Sequence, residues 1–280
     1  MKLLGIIGDP IRHSLSPRMQ NAALQKKRLP YFYVPFQVAP SQLAKFLKEV
    51  RDQGLQDLVG FNVTIPHKEK IIPLLDSISP EARAIGAVNT VVVRKGKLHG
   101  HNTDAIGYLK SLKEETRFHP RGKTILILGA GGASHAVVYG LASQGAREIL
   151  ITNRTLARAK KLVQSLKKKF KKTKFEAIAL KPNLLSEVFT RVDLLINTTS
   201  VGLKGTRFKK LPLQYLPPRA LVSDLVYRPL FTPLLKESKR RKLRVHFGLG
   251  MLLHQGAESF RLWTRKNPDL IVMKKALLAP

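Results

Sequence analysis

The chain has 280 residues, of which 44% are hydrophobic and 24% charged, and it contains no cysteine. This is a globular composition, enough for one large domain or two ordinary ones, and it excludes disulfides and thiolate chemistry. Fifty Lys and Arg against 18 Asp and Glu give a formal net charge of +32, which favours anionic partners.

The cations concentrate at 167–174, 207–210 and 236–244, in predicted helices and loops. No aromatic interleaving or zinc spacing accompanies them. They read as a solvated basic surface with no specific nucleic-acid partner, any such affinity being weak and salt-sensitive. Residues 124–146 carry no Asp, Glu, Lys or Arg and could span a bilayer by length, but a glycine cluster and His135 inside them fit a buried strand, turn and helix. No membrane partner is expected. The apolar run Lys2–Gly8 breaks at Asp9-Pro10 and is too short for a secretory signal, so the expected location is the cytoplasm.

In chain order, Lys2–Gly8 reads as a buried strand. Ser16 before Pro17 reads as the cap of a helix running to about Lys27. Ser14 has no such local role, and two hydroxyls two residues apart at a helix start make a carboxylate receiver. Tyr31–Gln37 is a predicted strand. A helix over 41–53 presents Leu43, Phe46, Leu47 and Val50 on one face.

The strand Leu58–Val63 leads into Thr64-Ile65-Pro66-His67-Lys68. Pro66 fits the first position of a helix, which places Lys68 at the positive end of a helix dipole, where a cation is disfavoured. Beside Asn62 and Thr64, such a lysine reads as part of a site, against the plainer reading of a surface charge in Lys68-Glu69-Lys70. Pro80–Ile85 is a predicted helix and 87–93 a strand holding Asn89-Thr90. A hairpin through Lys95-Gly96-Lys97 returns to Asn102-Thr103-Asp104, and a helix follows over 105–112 with Thr103 or Asp104 as its cap.

From Lys123 the texture changes. Thr124–Leu128 is a continuous apolar run, as a central parallel strand requires, and passes through Gly129-Ala130-Gly131-Gly132-Ala133-Ser134 into a helix closing near Gly145. Strands are expected at 148–152, 175–180, 193–198, 220–226 and 244–248, with helices between most of them. That alternation is a doubly wound α/β sheet. Gly129 and Gly131 fill the first two places of a GxGxxG fingerprint and Ser134 the third, in the strand–turn–helix setting that pyrophosphate binding needs. The next strand ends without the carboxylate that a ribose 2′-hydroxyl would call for. It offers Asn153-Arg154-Thr155 and then Arg158, cations suited to a 2′-phosphate, which favours NADP over NAD.

These pieces, together with Gly86-Ala87-Val88-Asn89-Thr90, Ile196-Asn197-Thr198-Thr199-Ser200-Val201-Gly202, Asp224-Leu225-Val226-Tyr227 and Gly248-Leu249-Gly250-Met251-Leu252-Leu253-His254-Gln255-Gly256-Ala257, stand in an order and spacing that closely resembles the shikimate dehydrogenase family. The resemblance covers almost the whole chain. It implies an α/β fold of two domains with a cleft between them. One is a discontinuous substrate-binding and catalytic domain, 1–104 completed by 249–280, and the other a Rossmann-type NADP(H) domain, 105–248.

The implied reaction is the reversible, NADP-dependent reduction of 3-dehydroshikimate to shikimate, on the route to chorismate and the aromatic amino acids. The resemblance assigns Lys68 and Asp104 as the catalytic pair. It assigns the substrate carboxylate to Ser14 and Ser16 with Tyr227, and the ring hydroxyls to Asn62, Thr64, Asn89 and Gln255. Cofactor contacts are implied for Gly129 to Ala133, for Asn153, Arg154, Thr155 and Arg158 at the 2′-phosphate, and for Thr198, Ser200, Val226, Gly248 and Met251. A helix start and an ionised Asp104 would bias the proton of Lys68 in opposite directions. No metal is implied.

Two positions depart from the family pattern. Gln20 stands where His commonly follows Met19, and His135 where Arg is frequent, which removes a phosphate contact. Two other readings compete: a quinate/shikimate dehydrogenase with broader substrate or NAD use, and a non-catalytic nucleotide-binding regulator with nucleic-acid affinity. The paired serines and Asn153-Arg154-Thr155 favour the shikimate-specific, NADP-using form over the former, and the presence of both Lys68 and Asp104 argues against the latter. Monomer and homodimer are left open.

Overall fold

Parallel strands dominate both sheets of the structure, a computed structural model that describes residues 1–279 except 53, 54, 56 and 210. Gln53, the predicted end of the second helix, Lys210 of the basic run and Pro280, the last residue of the expected substrate domain, lie outside the described residues. The chain divides into two compact units. The first is Met1–Gly107 with the chain from Leu252 onward, and the second is Tyr108–Met251.

In the first unit β1 (Lys2–Gly8) lies between β2 (Tyr31–Gln37) and β3 (Leu58–Val63), all parallel. β4 (Ser77–Ile78) forms an edge. β5 (Thr90–Arg94) runs antiparallel to β3 and turns through Lys95-Gly96 into β6 (Lys97–His101), giving the order β2-β1-β3-β5-β6-β4. Between these strands run α1 (Ser16–Lys26), α2 (Leu43–Arg51) and α3 (Pro80–Ile85). The predicted apolar face of α2 is buried as Leu43, Phe46, Leu47 and Val50, and Phe46 meets Phe61 of β3 edge-on at 5.8 Å.

α4 (Asp104–Thr116) begins in the first unit and continues into the second. There, β7 (Thr124–Leu128), β8 (Glu148–Asn153), β9 (Lys174–Ala179), β10 (Leu194–Asn197), β12 (Leu221–Asp224) and β13 (Arg244–Phe247) form a parallel sheet in the order β13-β12-β10-β7-β8-β9. Its helices are α5 (Gly132–Ser143), α6 (Leu156–Lys167), α7 (Pro182–Phe189) and α8 (Pro233–Arg240), and β11 (Val201–Lys204) follows β10. Chain order reverses between β7 and β10, the switch point at which open α/β sheets bind ligands. The unbroken apolar run of β7 follows from cover on both faces. Ile125 and Ile127 join one core cluster, Leu126 and Leu128 another.

α9 (Gly248–Thr264) and α10 (Leu270–Leu278) complete the chain. α9 returns to the first sheet because Gly60 has no side chain: a Cβ there would lie 2.3 Å from the Trp263 ring, whose Nε1 donates to Val91 O at 2.9 Å. α10 packs against α1. No helix of the described residues is long and apolar enough to cross a membrane.

Five local expectations are corrected. The helix expected from Pro66 does not form: 65–71 are turns, followed by a short 3-10 turn at Ile72–Leu74. The Lys68 carbonyl accepts the Val88 N–H at 2.8 Å, so it is not available to a helical ladder, and Lys68 does not stand at the start of a helix of its own. Ser16 is not a side-chain cap. α1 starts on Ser16 itself, and the hydroxyl of Ser14 accepts the Ser16 N–H at 3.2 Å, a local role not expected for Ser14. Thr103 holds the cap position of α4, its carbonyl accepting the Gly107 N–H at 3.0 Å, but no side-chain cap comes from Thr103 or Asp104. Asn102 Oδ1 takes the N–H groups of Asp104 at 3.0 Å and Ala105 at 3.4 Å. The strand expected from Ala87 begins at Thr90, and a 3-10 turn at Pro40–Gln42 precedes α2, where helix was expected from Ser41.

Candidate active site

Lys68 Nζ donates to Asp104 Oδ2 at 2.5 Å, with side chains 14% and 4% exposed. The other carboxylate oxygen, Oδ1, accepts from Asn89 Nδ2 at 2.9 Å. Three chain segments therefore fix one ion pair: the turn after β3, the approach to β5 and the first residue of α4. Asp104 is free to serve Lys68 because Asn102 takes over the capping of α4, and Asn102 is itself held by the Ala87 carbonyl at 2.9 Å.

Asn89 extends the network. Its Nδ2 also reaches Thr103 Oγ1 at 2.9 Å and Gln255 Oε1 at 3.2 Å, and its Oδ1 accepts the Thr103 N–H at 2.7 Å. Gln255 Nε2 donates to Leu252 O one turn back on α9. Asn62 is 4% exposed and engaged at both ends. Tyr33 Oη donates to its Oδ1 at 2.7 Å, while its Nδ2 faces Asn89 O, Thr90 Oγ1 and Ser259 Oγ at 2.9–3.1 Å. A buried, fully paired polar network of this kind rigidifies the groups it holds.

Thr64 and Ser14 are half-buried, and Ser16 is buried. The Thr64 N–H is bonded to Ile7 O at 2.9 Å. Gln20, the departure on α1, donates from Nε2 to Gly256 O at 2.9 Å and so ties α1 to α9. Sequence reasoning missed Tyr33 and Ser259. Ser259 lies four residues after Gln255 on α9, so helical spacing from Gln255 would have found it. Tyr33 had no comparable local signal.

The second unit carries the glycine turn. Gly129 has φ 117°, and a Cβ there would lie 2.5 Å from Thr198 Oγ1, so the close approach of β7 and β10 requires glycine. A Cβ on Gly131 would meet nothing within 4 Å, leaving the amide end of α5 open. Ser134 is buried, and its hydroxyl donates to Gly129 O at 2.8 Å, closing the turn from the place of the third glycine. A phosphate fits this cradle at the switch point. At the tip of β8, Asn153 Nδ2 donates to Thr155 O at 2.9 Å, and Arg154, Thr155 and Arg158 are exposed. Ala130 is buried, Gly132 and Ala133 are half-buried in the first turn of α5, and Ser200 is exposed after β10.

The turn after β12 is organised by Asp224, which is fully buried. It accepts from Thr232 Oγ1 at 2.7 Å, Asn197 Nδ2 at 2.8 Å and the Val226 N–H at 3.0 Å. Burial pushes its carboxyl up to about 6 against the pull of these donors. Asp224 thereby sets Val226 and the half-buried Tyr227, which belong to the second unit with Gly248 and the buried Met251. A second buried group adjoins it. His246 sits between the hydroxyls of Ser111, 2.7 Å, and Ser223, 2.8 Å, and burial lowers it to about 4.

Family models described as the shikimate dehydrogenase substrate binding domain, shikimate/quinate 5-dehydrogenase and the shikimate 5′-dehydrogenase C-terminal domain match residues 6–91, 112–205 and 248–278. Curated proteins of Geobacter metallireducens and Geobacter sulfurreducens, both named shikimate dehydrogenase (NADP(+)), are 47% identical over 99% of this chain and 96% of their own. The chain belongs to the shikimate dehydrogenase family. Among solved shikimate dehydrogenases, one in complex with NADP+ is 40% identical with a TM-score of 0.88, covering 99% of this chain and 95% of that one. The Thermus thermophilus member in complex with NADP(H) and shikimate is 39% identical with a TM-score of 0.85, over 99% and 98%. A quinate dehydrogenase of Corynebacterium glutamicum in complex with NAD stands at 28% and 0.87, over 99% and 98%.

Proposed function

We infer that this protein is an NADP-dependent shikimate dehydrogenase, an oxidoreductase that interconverts 3-dehydroshikimate and shikimate in aromatic amino-acid precursor synthesis. The observation that carries the reading is the Lys68–Asp104 ion pair on its buried amide network, in a chain 47% identical over nearly its full length to dehydrogenases of that name.

NADPH, when bound, supplies the hydride. Negative charge then develops on the substrate's carbonyl oxygen, and Lys68 neutralises it and delivers the proton. Asp104 holds the ammonium in place and accepts from a neighbouring substrate hydroxyl. Ser14 and Ser16, with Tyr227, receive the substrate carboxylate, and Asn62, Thr64, Asn89 and Gln255 orient the ring hydroxyls. Gly129 to Ala133 cradle the pyrophosphate. Asn153, Arg154, Thr155 and Arg158 take the 2′-phosphate, and Thr198, Ser200, Val226, Gly248 and Met251 line the rest of the cofactor path.

In this reading 1–104 with 249–280 is the substrate domain and 105–248 the cofactor domain, which the placement of the three matched family models supports. The protein works in the cytoplasm, as a monomer or homodimer, with no specific nucleic-acid partner. The deciding assay is NADPH oxidation on addition of 3-dehydroshikimate. Turnover is expected. Activity confined to 3-dehydroquinate with NADH would replace the reading with a quinate dehydrogenase.

A further inference from the structure

A pocket of about 340 Å³ opens in the second unit between the segment that follows β11 and helix α8. Phe208, Leu211, Leu213, Phe231 and Leu234 form its apolar lining. Phe231 is 37% exposed although its ring is fixed edge-on against Phe247 at 5.1 Å, and Leu203 and Leu230 beside the pocket are also exposed. Contiguous apolar surface in a concave site is where small ligands bind.

Charge at the pocket is one-sided. Arg207 and Lys236 line it and make no ion pair among the described residues. The acid present, Glu237, is already bonded by Arg240 Nη1 at 3.4 Å and Arg241 Nε at 2.9 Å. The Thr206 hydroxyl has its donor engaged: it donates to Leu203 O at 3.0 Å and accepts the Gly202 N–H at 2.9 Å. The apolar part of the lining suits a plain aromatic ring, which has no solvent hydrogen bonds to lose on entering it. A carboxylate would find a guanidinium fork and an ammonium.

We propose that this pocket is a second ligand site, which binds a small aryl carboxylate with its ring against Phe208 and Phe231 and its carboxylate on Arg207 and Lys236. Nothing in the dehydrogenase reaction requires the site, and the proposal stands or falls apart from that reaction.

Benzoate is the test ligand, titrated calorimetrically into the full chain at saturating NADP+ and, in a separate titration, at saturating shikimate. Saturable one-to-one binding is expected. The double variant Arg207→Gln/Lys236→Gln should weaken it about tenfold or more, and Phe231→Ala should weaken it as well, with NADPH oxidation by either variant unchanged. Acetate and benzyl alcohol, each lacking half of the ligand, should bind more weakly than benzoate. The proposal is overturned by absent saturation, by equal binding of acetate, by unchanged binding in the variants, or by loss of binding once either cofactor or shikimate alone saturates the enzyme.

Discussion

Asn102 Oδ1 accepts the backbone N–H of Asp104 at 3.0 Å, and this bond decides what the Asp104 carboxylate does. An aspartate at a helix start ordinarily satisfies the helix's own amides. Here a neighbour performs that duty, and Asp104 is released to Lys68 and Asn89. The variant Asn102→Ala should cost about 1–2 kcal/mol of stability. It should also lower kcat, because Asp104 can turn back to cap α4. Chemical denaturation and steady-state kinetics read the two effects separately. A variant that loses stability but keeps kcat would remove Asn102 from the catalytic arrangement.

Lys68→Ala should lower kcat by about 10²–10⁴-fold with a smaller change in the KM for shikimate, the usual weight of a positioned proton donor. Stability should change little by comparison, since Lys68 lies in a turn and not in a helix whose dipole it opposes. Kinetics at saturating cofactor measure this, and near-wild-type turnover would refute the assignment.

Arg154→Gln should raise the KM for NADP+ about 10–100-fold and leave that for NAD+ nearly unchanged, because only the 2′-phosphate distinguishes the two. Parallel losses with both cofactors would point to a folding role for Arg154.

Asp224 and His246 titrate against each other in the pH dependence of stability. His246 is lowered from 6.5 to about 4, so the unfolded chain binds its proton first and stability is lost as pH falls through that window. Asp224 is raised from 3.8 to about 6, so the folded chain binds its proton first and stability is lost as pH rises through that window. Each is worth up to about 3 kcal/mol, and between about pH 4 and 6 the two slopes offset. Asp224→Asn should leave the His246 slope exposed. Its stability relative to wild type should rise by up to about 3 kcal/mol from pH 4 to pH 7. Parallel denaturation curves at the two pH values would exclude this.

Much of the chain was legible because the relevant physics is local. The apolar run of β7, the glycines after it and the cations after β8 each announce themselves within a few residues, and the doubly wound sheet follows from their alternation with helices. The face of α2 was legible for the same reason: a helix repeats its buried positions at a fixed spacing.

What stayed hidden depends on partners far along the chain. Pro66 looks like a helix start, but the Lys68 carbonyl bonds Val88, and a turn replaces the helix. Tyr33 and Ser259 enter the network only because β2 and α9 converge on Asn62, a convergence that Gly60 permits by leaving room for Trp263. Residue types and short spacings therefore settled which chemistry the chain carries. Which carboxylate is free, which amide holds it and which backbone is helical were decided by hydrogen bonds between segments that only folding brings together, because a donor or acceptor buried on folding must find its partner wherever the chain supplies one.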